Sequence, residues 1–416
     1  MLCKYFCDPQ TRKRVEASPV APYLMGFADS MRAVGHPSAV ILDRLRTAVH
    51  FGLWAGRAGV PLRCLDEAGV ERFRRHLPKC RCPGPRPQRS RYADLAKKAL
   101  RFLTYLRALG VAKSTAPGPD SGPVEQVLLI EFRTWMQQHR GVTPATLSIY
   151  GRIIVDAIGE LGDDPARYDV AGLRAFVVDR AKRHGRSKAK LVMTAMRAFL
   201  RQLIATGKCR VGLEAAIPTI PRWRLSALPR YLTPSEVGRV IGACDGRTSV
   251  GARDRAIILL LCRLGLRAGD VAGLRFSDID WDRATIRVAG KARQETQLPM
   301  PQDVGNAVLA YLRRGRPRFA TEQVFLCRPA PWRPVTRSTV ANIVRKAING
   351  AGLVSPSYGA HVLRHSAAVG MLRQGATLEQ IRLILRHRDP ETTALYAKVD
   401  LALLRPLAQR WPSVTP

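Results

Sequence analysis

Apolar residues recur at three- and four-residue spacing through most of the chain, and the first half carries one such pattern twice. Residues 98–110 read Lys98-Ala99-Leu100-Arg101-Phe102-Leu103-Thr104-Tyr105-Leu106-Arg107-Ala108-Leu109-Gly110. Residues 195–207 repeat this at an offset of 97, matching Phe102 to Phe199, Leu103 to Leu200, Leu106 to Leu203 and Gly110 to Gly207. Upstream, a helix expected to begin near Pro37-Ser38-Ala39 resembles one expected near Thr143-Pro144-Ala145, and both end in a glycine-punctuated turn. The stretches 22–110 and 124–210 therefore read as two copies of a small helical unit. The alternative is that apolar helices with glycine stops look alike by chance.

Past Arg230 the pattern changes. Thr233-Pro234-Ser235-Glu236 supplies a capping Thr, a Pro at the first helical position and an acid at the third, which starts a helix. A buried helix is expected over Asp254–Leu264. Thr285-Ile286-Arg287-Val288 and Thr296-Gln297-Leu298 flank Gly290-Lys291, which reads as two strands joined by a turn. From Ser338 onward the pattern is helical again. Three stretches rich in Pro, Gly, Ser or Arg, at Cys80–Ser90, Ser114–Pro123 and Ile217–Arg230, read as loops or linkers. The expected fold class is a set of N-terminal all-α domains, a duplicated unit, followed by a mostly helical α+β domain with a small antiparallel sheet. The expected divisions are 1–113, 124–212, a basic linker at 213–229, and 230–416.

Charge adds a partner to this picture. The 416 residues carry 68 Lys+Arg against 32 Asp+Glu, so 68 − 32 gives +36. Such an excess repels itself in a compact fold, and a polyanion relieves it. Charge alone says nucleic acid, and an RNA-coating role would fit as well. A membrane fits less well, because the basic residues are spread through folded segments. The longest apolar run, Ala256 to Cys262, suits a buried helix, and Met1 to Asp8 lacks the apolar core of a secretory signal. Nine cysteines, an odd number at irregular spacing, point to reduced thiols in a cytoplasm, and the expected location is the bacterial cytoplasm at the nucleoid. Neither Cys3/Cys7 nor Cys80/Cys82 is spaced as a good chelating pair, so neither a metal site nor a cofactor is expected.

Cutting a DNA phosphodiester without metal requires a nucleophile, cationic donors for the non-bridging oxygens, and an acid for the leaving oxygen. Arginine suits the second task because its planar fork binds two phosphate oxygens while staying charged. Histidine or lysine suits the third. The last 170 or so residues supply each part. Gly265-Leu266-Arg267-Ala268-Gly269-Asp270 follows the buried helix, where a glycine turn would present Arg267 to a cleft and Asp270 would orient its guanidinium. His361-Val362-Leu363-Arg364-His365 puts His361 and Arg364 on one helix face. Leu385-Arg386-His387 precedes Asp389-Pro390-Glu391, a cap and helix start, and Tyr396 falls nine residues after His387.

Gly-Leu-Arg, Gly-Lys in a hairpin, His-x-Leu-Arg-His, Leu-x-His and Thr-Thr-x-x-Tyr, in this order, resemble the tyrosine recombinase (phage integrase) family over residues 228–400. Each motif alone is weak; all of them in order are specific. The resemblance implies that Arg267 and Arg364 clamp the scissile phosphate. It implies that Lys291 protonates the leaving oxygen and His361 assists proton transfer, as a base toward Tyr396. His387 would hydrogen-bond the phosphate and Tyr396 would form a 3′-phosphotyrosine. Asp270 and His365 are expected to support the site, His365 by packing or a phosphate contact. One departure stands out: the family usually has Gly where this chain has Arg386.

The same resemblance implies a clamp on double-stranded DNA, with 124–210 as a SAM-like core-binding domain joined to the catalytic domain by Arg222-Trp223-Arg224. The helix starting at Gly185, with Arg186, Lys188 and Lys190, would enter the major groove; a merely solvated face is the alternative. The extra unit at 22–110 would bind further DNA, extend the clamp or contact proteins. Pairs on inverted half-sites would form a homo-tetramer, or a hetero-assembly with related recombinases. An accessory DNA-binding protein of a mobile element and a type IB topoisomerase-like relaxing enzyme are the competing readings.

Overall fold

The computed structural model describes residues 5–80, 82, 91–113, 124–220, 229–289, 295–328, 330–355, 357–387 and 389–397, with only the backbone of 124–126 and 289. The chain forms two compact units, one of residues 1–113 with 225–416, the other of residues 114–224.

The first unit opens with five helices: α1 (Pro9–Glu16), α2 (Ala21–Ala33), α3 (Ser38–Arg57), α4 (Glu67–His76) and α5 (Tyr92–Ala108). Pro37 precedes α3, and Asp66 caps α4 by accepting the Gly69 N–H at 2.6 Å. Phe51, Phe73, Phe102, Leu103 and Leu106 fill the core between them, each fully buried aromatic contributing about 1.5–3 kcal/mol.

The second unit repeats the order of α2 to α5: α6 (Val124–Arg140), α7 (Pro144–Leu161), α8 (Val170–Arg183) and α9 (Arg186–Ala205). A 3-10 turn precedes the capped helix in both, at Leu62–Cys64 and Pro165–Arg167, and Asp169 caps α8 as Asp66 caps α4. Phe199, Leu200 and Leu203 are buried like their partners in α5. Gly110 and Gly207 end the two helices at φ of 71° and 70°, a left-handed stop that favours glycine. Leu213 and Ile217 bury in the same core, and Arg197 donates to the Ile217 and Pro218 carbonyls at 2.9 Å. The first residues of the expected linker are thus packed onto the helical unit. Arg222 and Arg224 lie outside the described residues.

Cys80 and Cys82 are not an isolated pair, because His50 of α3 and His76 of α4 converge on them, all four donor atoms lying within 4.8 Å of one another. The pair's spacing could not show this, since the donors come from separate elements.

Beyond residue 229 the first unit is α+β. The capping box at Thr233 and Glu236 starts α10 (Pro234–Gly242), the Thr233 N–H donating to Glu236 at 2.7 Å. Then α11 (Ser249–Arg263) runs through the core with Ile257, Ile258, Leu260 and Leu261 fully buried. It begins before Asp254 because Thr248 accepts the Gly251 N–H. Next comes α12 (Ala268–Gly273), followed by an antiparallel sheet of β1 (Ile279–Asp280), β2 (Thr285–Ala289) and β3 (Glu295–Pro299). Ile286 pairs with Leu298 and Arg287 with Gln297, so alternate residues bury Ile286, Val288 and Leu298. Five helices complete the unit: α13 (Gln302–Ala310), α14 (Arg337–Gly350), α15 (Ala360–Arg373), α16 (Leu378–Leu385) and α17 (Pro390–Ala397). A small separate core of Ala368, Val369, Leu372, Ile381, Leu385 and Tyr396 joins the last three. No helix among the described residues is long and apolar enough to cross a membrane.

Candidate active site

The end of α11, the N-terminus of α12, one turn of α15 and the α16–α17 connection meet at one place. Gly265 makes the meeting possible. Its φ is +59°, and a β-carbon there would lie 2.4 Å from the Leu385 side chain, so both backbone and space demand glycine. The turn aims the Gly265 carbonyl at Arg364, whose Nη1 donates to it while Nη2 donates to the Leu385 carbonyl. Arg364 is 3% exposed. Burial, and then the nearby Arg267, lower its pKa to about 10, which leaves it charged at neutral pH.

Arg267 caps α12. Its backbone N–H donates to Asp270 at 2.9 Å, and its Nη2 donates to the Arg386 carbonyl at 2.9 Å. Burial lowers its pKa as well. Asp270 does not orient the Arg267 guanidinium as expected; its carboxylate is turned to the Arg267 backbone and pairs with Arg386. Arg386 ends α16 at φ 55° and ψ 49°. This left-handed position is where glycine is least strained, so the arginine stays at a cost of about 1–2 kcal/mol. Its side chain is 6% exposed, and Nε and Nη1 are buried without a partner among the described residues. Three guanidiniums thus gather against the single carboxylate of Asp270.

Beside them lies Tyr396, 1% exposed, its hydroxyl 2.8 Å from His365 Nδ1. Burial pushes the phenol up to about 12, against the pull of Arg364. Burial, then His361, brings His365 down to about 4. At neutral pH the pair is therefore a phenol beside an uncharged imidazole. In the tautomer protonated at Nε2, Nδ1 accepts the phenolic proton. His361, expected as the partner of Tyr396, is instead exposed one turn back on α15, its ring 6.2 Å from that of His365. His387 lies parallel to the Tyr396 ring at 6.3 Å, and its Nδ1 bonds Thr393 Oγ1 at 2.8 Å. Burial, then Arg364, lowers His387 to about 4.

The structure thus brings together Arg267, Arg364, His387 and Tyr396, with His361 at the rim. Lys291 lies outside the described residues. Sequence reasoning missed the His365–Tyr396 contact, although His365 directly follows Arg364. It also gave no partner to Thr393, the second Thr of Thr-Thr-x-x-Tyr, which bonds His387. In the second unit Arg186, Lys188 and Lys190 are exposed at the start of α9, whose first turn carries no acid. Lys188 also lines a cleft with Arg152, Arg180 and His184.

The profile of the phage integrase family matches residues 230–402. A protein of Sinorhizobium fredii that carries the name integrase/recombinase y4rA is 36% identical over 417 residues, covering 98% of this chain and 99% of its own length. Tyrosine recombinase XerC of Lactobacillus leichmannii is 27% identical over 284 residues, 65% of this chain and 94% of its own. Among solved structures, the XerH site-specific recombinase bound to palindromic difH substrate, a post-cleavage complex, aligns with a TM-score of 0.55. It is 18% identical and covers 84% of this chain and 99% of its own, a likeness of fold.

Proposed function

This chain belongs to the phage integrase family of tyrosine recombinases, and from that premise we propose how its own residues cut and rejoin DNA at a specific site. Tyr396 Oη attacks the scissile phosphorus, its proton passing to His365 Nδ1. The phosphorus–O5′ bond breaks, leaving a 3′-phosphotyrosine and a free 5′ hydroxyl. Arg267 and Arg364 hold the non-bridging oxygens as charge redistributes, and Lys291 protonates the departing oxygen. His387, steadied by Thr393, donates to the phosphate, while His361 relays protons at the rim. One phosphodiester replaces another, so the reverse attack by a 5′ hydroxyl rejoins a strand without ATP. No cofactor enters the scheme.

The observation that carries this reading is the Tyr396–His365 bond set beside three guanidiniums and one carboxylate. A buried cationic excess is costly unless an anion joins it. A phosphodiester is that anion.

The exposed cations at the start of α9 crowd the positive end of the helix, where DNA phosphate would be favoured. This supports reading 124–212 as the core-binding half of a clamp, with Arg222 and Arg224 assigned to the basic linker that follows it. Assembly would follow the substrate: inverted half-sites bind pairs, and two pairs make a tetramer that exchanges strands in the cytoplasm. The test is a nicked double-stranded substrate carrying the recombination site, which traps the covalent intermediate. Wild type should form a denaturation-resistant adduct and Tyr396→Phe should form none. An adduct retained by Tyr396→Phe, or absent from wild type, overturns the proposal.

A further inference from the structure

We propose that His50, His76, Cys80 and Cys82 form a tetrahedral zinc site in the N-terminal helical bundle. His50 Nε2 lies 3.2 Å from Cys80 Sγ, and His76 Nε2 lies 3.4 Å from Cys82 Sγ. No two of the four donor atoms are more than 4.8 Å apart. Zn–N bonds of about 2.0–2.1 Å and Zn–S bonds of about 2.3 Å put tetrahedral ligand atoms about 3.3–3.8 Å from one another. The four atoms already stand near the corners such an ion requires. Two imidazoles with two thiolates are also a donor set that suits zinc rather than calcium or magnesium.

The frame holds the donors in place. Cys80 is 6% exposed, and the His50 ring meets Phe73 edge-on at 5.1 Å. His50 belongs to α3, His76 ends α4, and Cys80 and Cys82 follow the 3-10 turn Leu77–Lys79. One ion would therefore fasten two helices and the segment that leaves them. On binding, the two thiol protons go to solvent, and two thiolates cancel the charge of the ion, so no net charge is buried.

The repeated unit places a polar link at the matching position. His50 is the thirteenth residue of α3 and Asp156 the thirteenth of α7; His76 is the tenth of α4 and Asp179 the tenth of α8. In the second unit Arg180 bridges these positions, 2.9 Å from Asp179 and 4.0 Å from Asp156, with Glu160 at 3.1 Å. Ion pairs join the helices there; in the first bundle the metal takes that role.

The test uses the full chain purified without chelators. Elemental analysis should find one zinc per chain, and Co²⁺ exchanged for it should give an intense thiolate-to-cobalt band with tetrahedral visible bands. Cys80→Ser/Cys82→Ser should lose the ion, with affinity weaker on the order of a hundredfold or more. His50→Cys keeps four donors and should keep the metal, with a stronger thiolate band; this guards against a serine variant that fails to fold. The proposal is overturned if the wild type neither carries nor takes up zinc, or if the double serine variant retains it. Cobalt without a thiolate band, or a Cys80–Cys82 disulfide in fresh reduced-handling preparations, would overturn it equally.

Discussion

The first unit holds two polar clusters that differ in charge, one cationic and one neutral. Around Tyr396, three guanidiniums face a single carboxylate, and two guanidinium nitrogens of Arg386 are buried without a partner. Around Cys80, two imidazoles and two thiols converge with no permanent charge among them. The first cluster has a surplus that only an anion can balance, and the second has donors that only a cation can use fully. The residual charge of each cluster is what its proposed ligand answers: a DNA phosphate in one, a metal ion in the other. Because the two clusters share no side chain, a change in one should leave the other untouched.

The largest effect should come from Arg364→Ala. It removes a buried guanidinium from two carbonyls and from the phosphate, so adduct formation on the nicked substrate should fall on the order of a thousandfold. Arg364→Lys, which keeps a point charge but not the fork, should still be impaired. The zinc content of both variants should match wild type; a parallel loss of metal would break the separation of the clusters.

His365→Ala should cost less, on the order of a hundredfold, as expected for the loss of one proton acceptor. The pH profile sharpens the point. With His365 held at about 4 rather than its ordinary 6.5, the uncharged acceptor persists below neutrality. Single-turnover cleavage should therefore stay level from pH 7 to about 5 and fall only as pH approaches the lowered value. A break near the ordinary histidine value would show that His365 is not buried as described. The same depression, shared by His387, makes the unfolded chain bind more protons between 6.5 and about 4. Stability contributed by these residues is present above that window and lost as pH falls through it.

Arg386→Gly should have the smallest effect. Glycine relieves the left-handed strain while removing one cation, so stability should change by about 1 kcal/mol or less. The salt dependence is the better readout. The slope of log affinity against log salt should shrink by about 1 if Arg386 contacts phosphate, and stay unchanged if it serves only Asp270.

Much of this was legible in the sequence. Helix starts were readable because caps are local: Thr233 with Glu236, and Asp389 before Pro390, act within one turn of the chain. The repeated pattern survived as matching buried residues in α5 and α9, because a helix face is fixed by spacing alone. The order of Arg267, Arg364, His387 and Tyr396 indicated a shared site. What could not be read was which neighbour each would touch. Choosing His365 over His361 for Tyr396, or Arg386 over Arg267 for Asp270, depends on how α15, α16 and α17 pack. The His/Cys cluster was missed for the same reason, since its two histidines lie outside the short Cys-x-Cys stretch that drew attention.

The seal over Tyr396 bears on the safety of the genome. Tyr396 is 1% exposed, so a phosphate met in passing finds almost none of it to reach. A protein of formal charge +36 will encounter nonspecific DNA constantly, and an open nucleophile would nick it at random. The small core that holds Tyr396 contains six buried residues, a modest closure. On the proposed mechanism, a chain strongly attracted to DNA would keep its nucleophile covered until it is docked at a site.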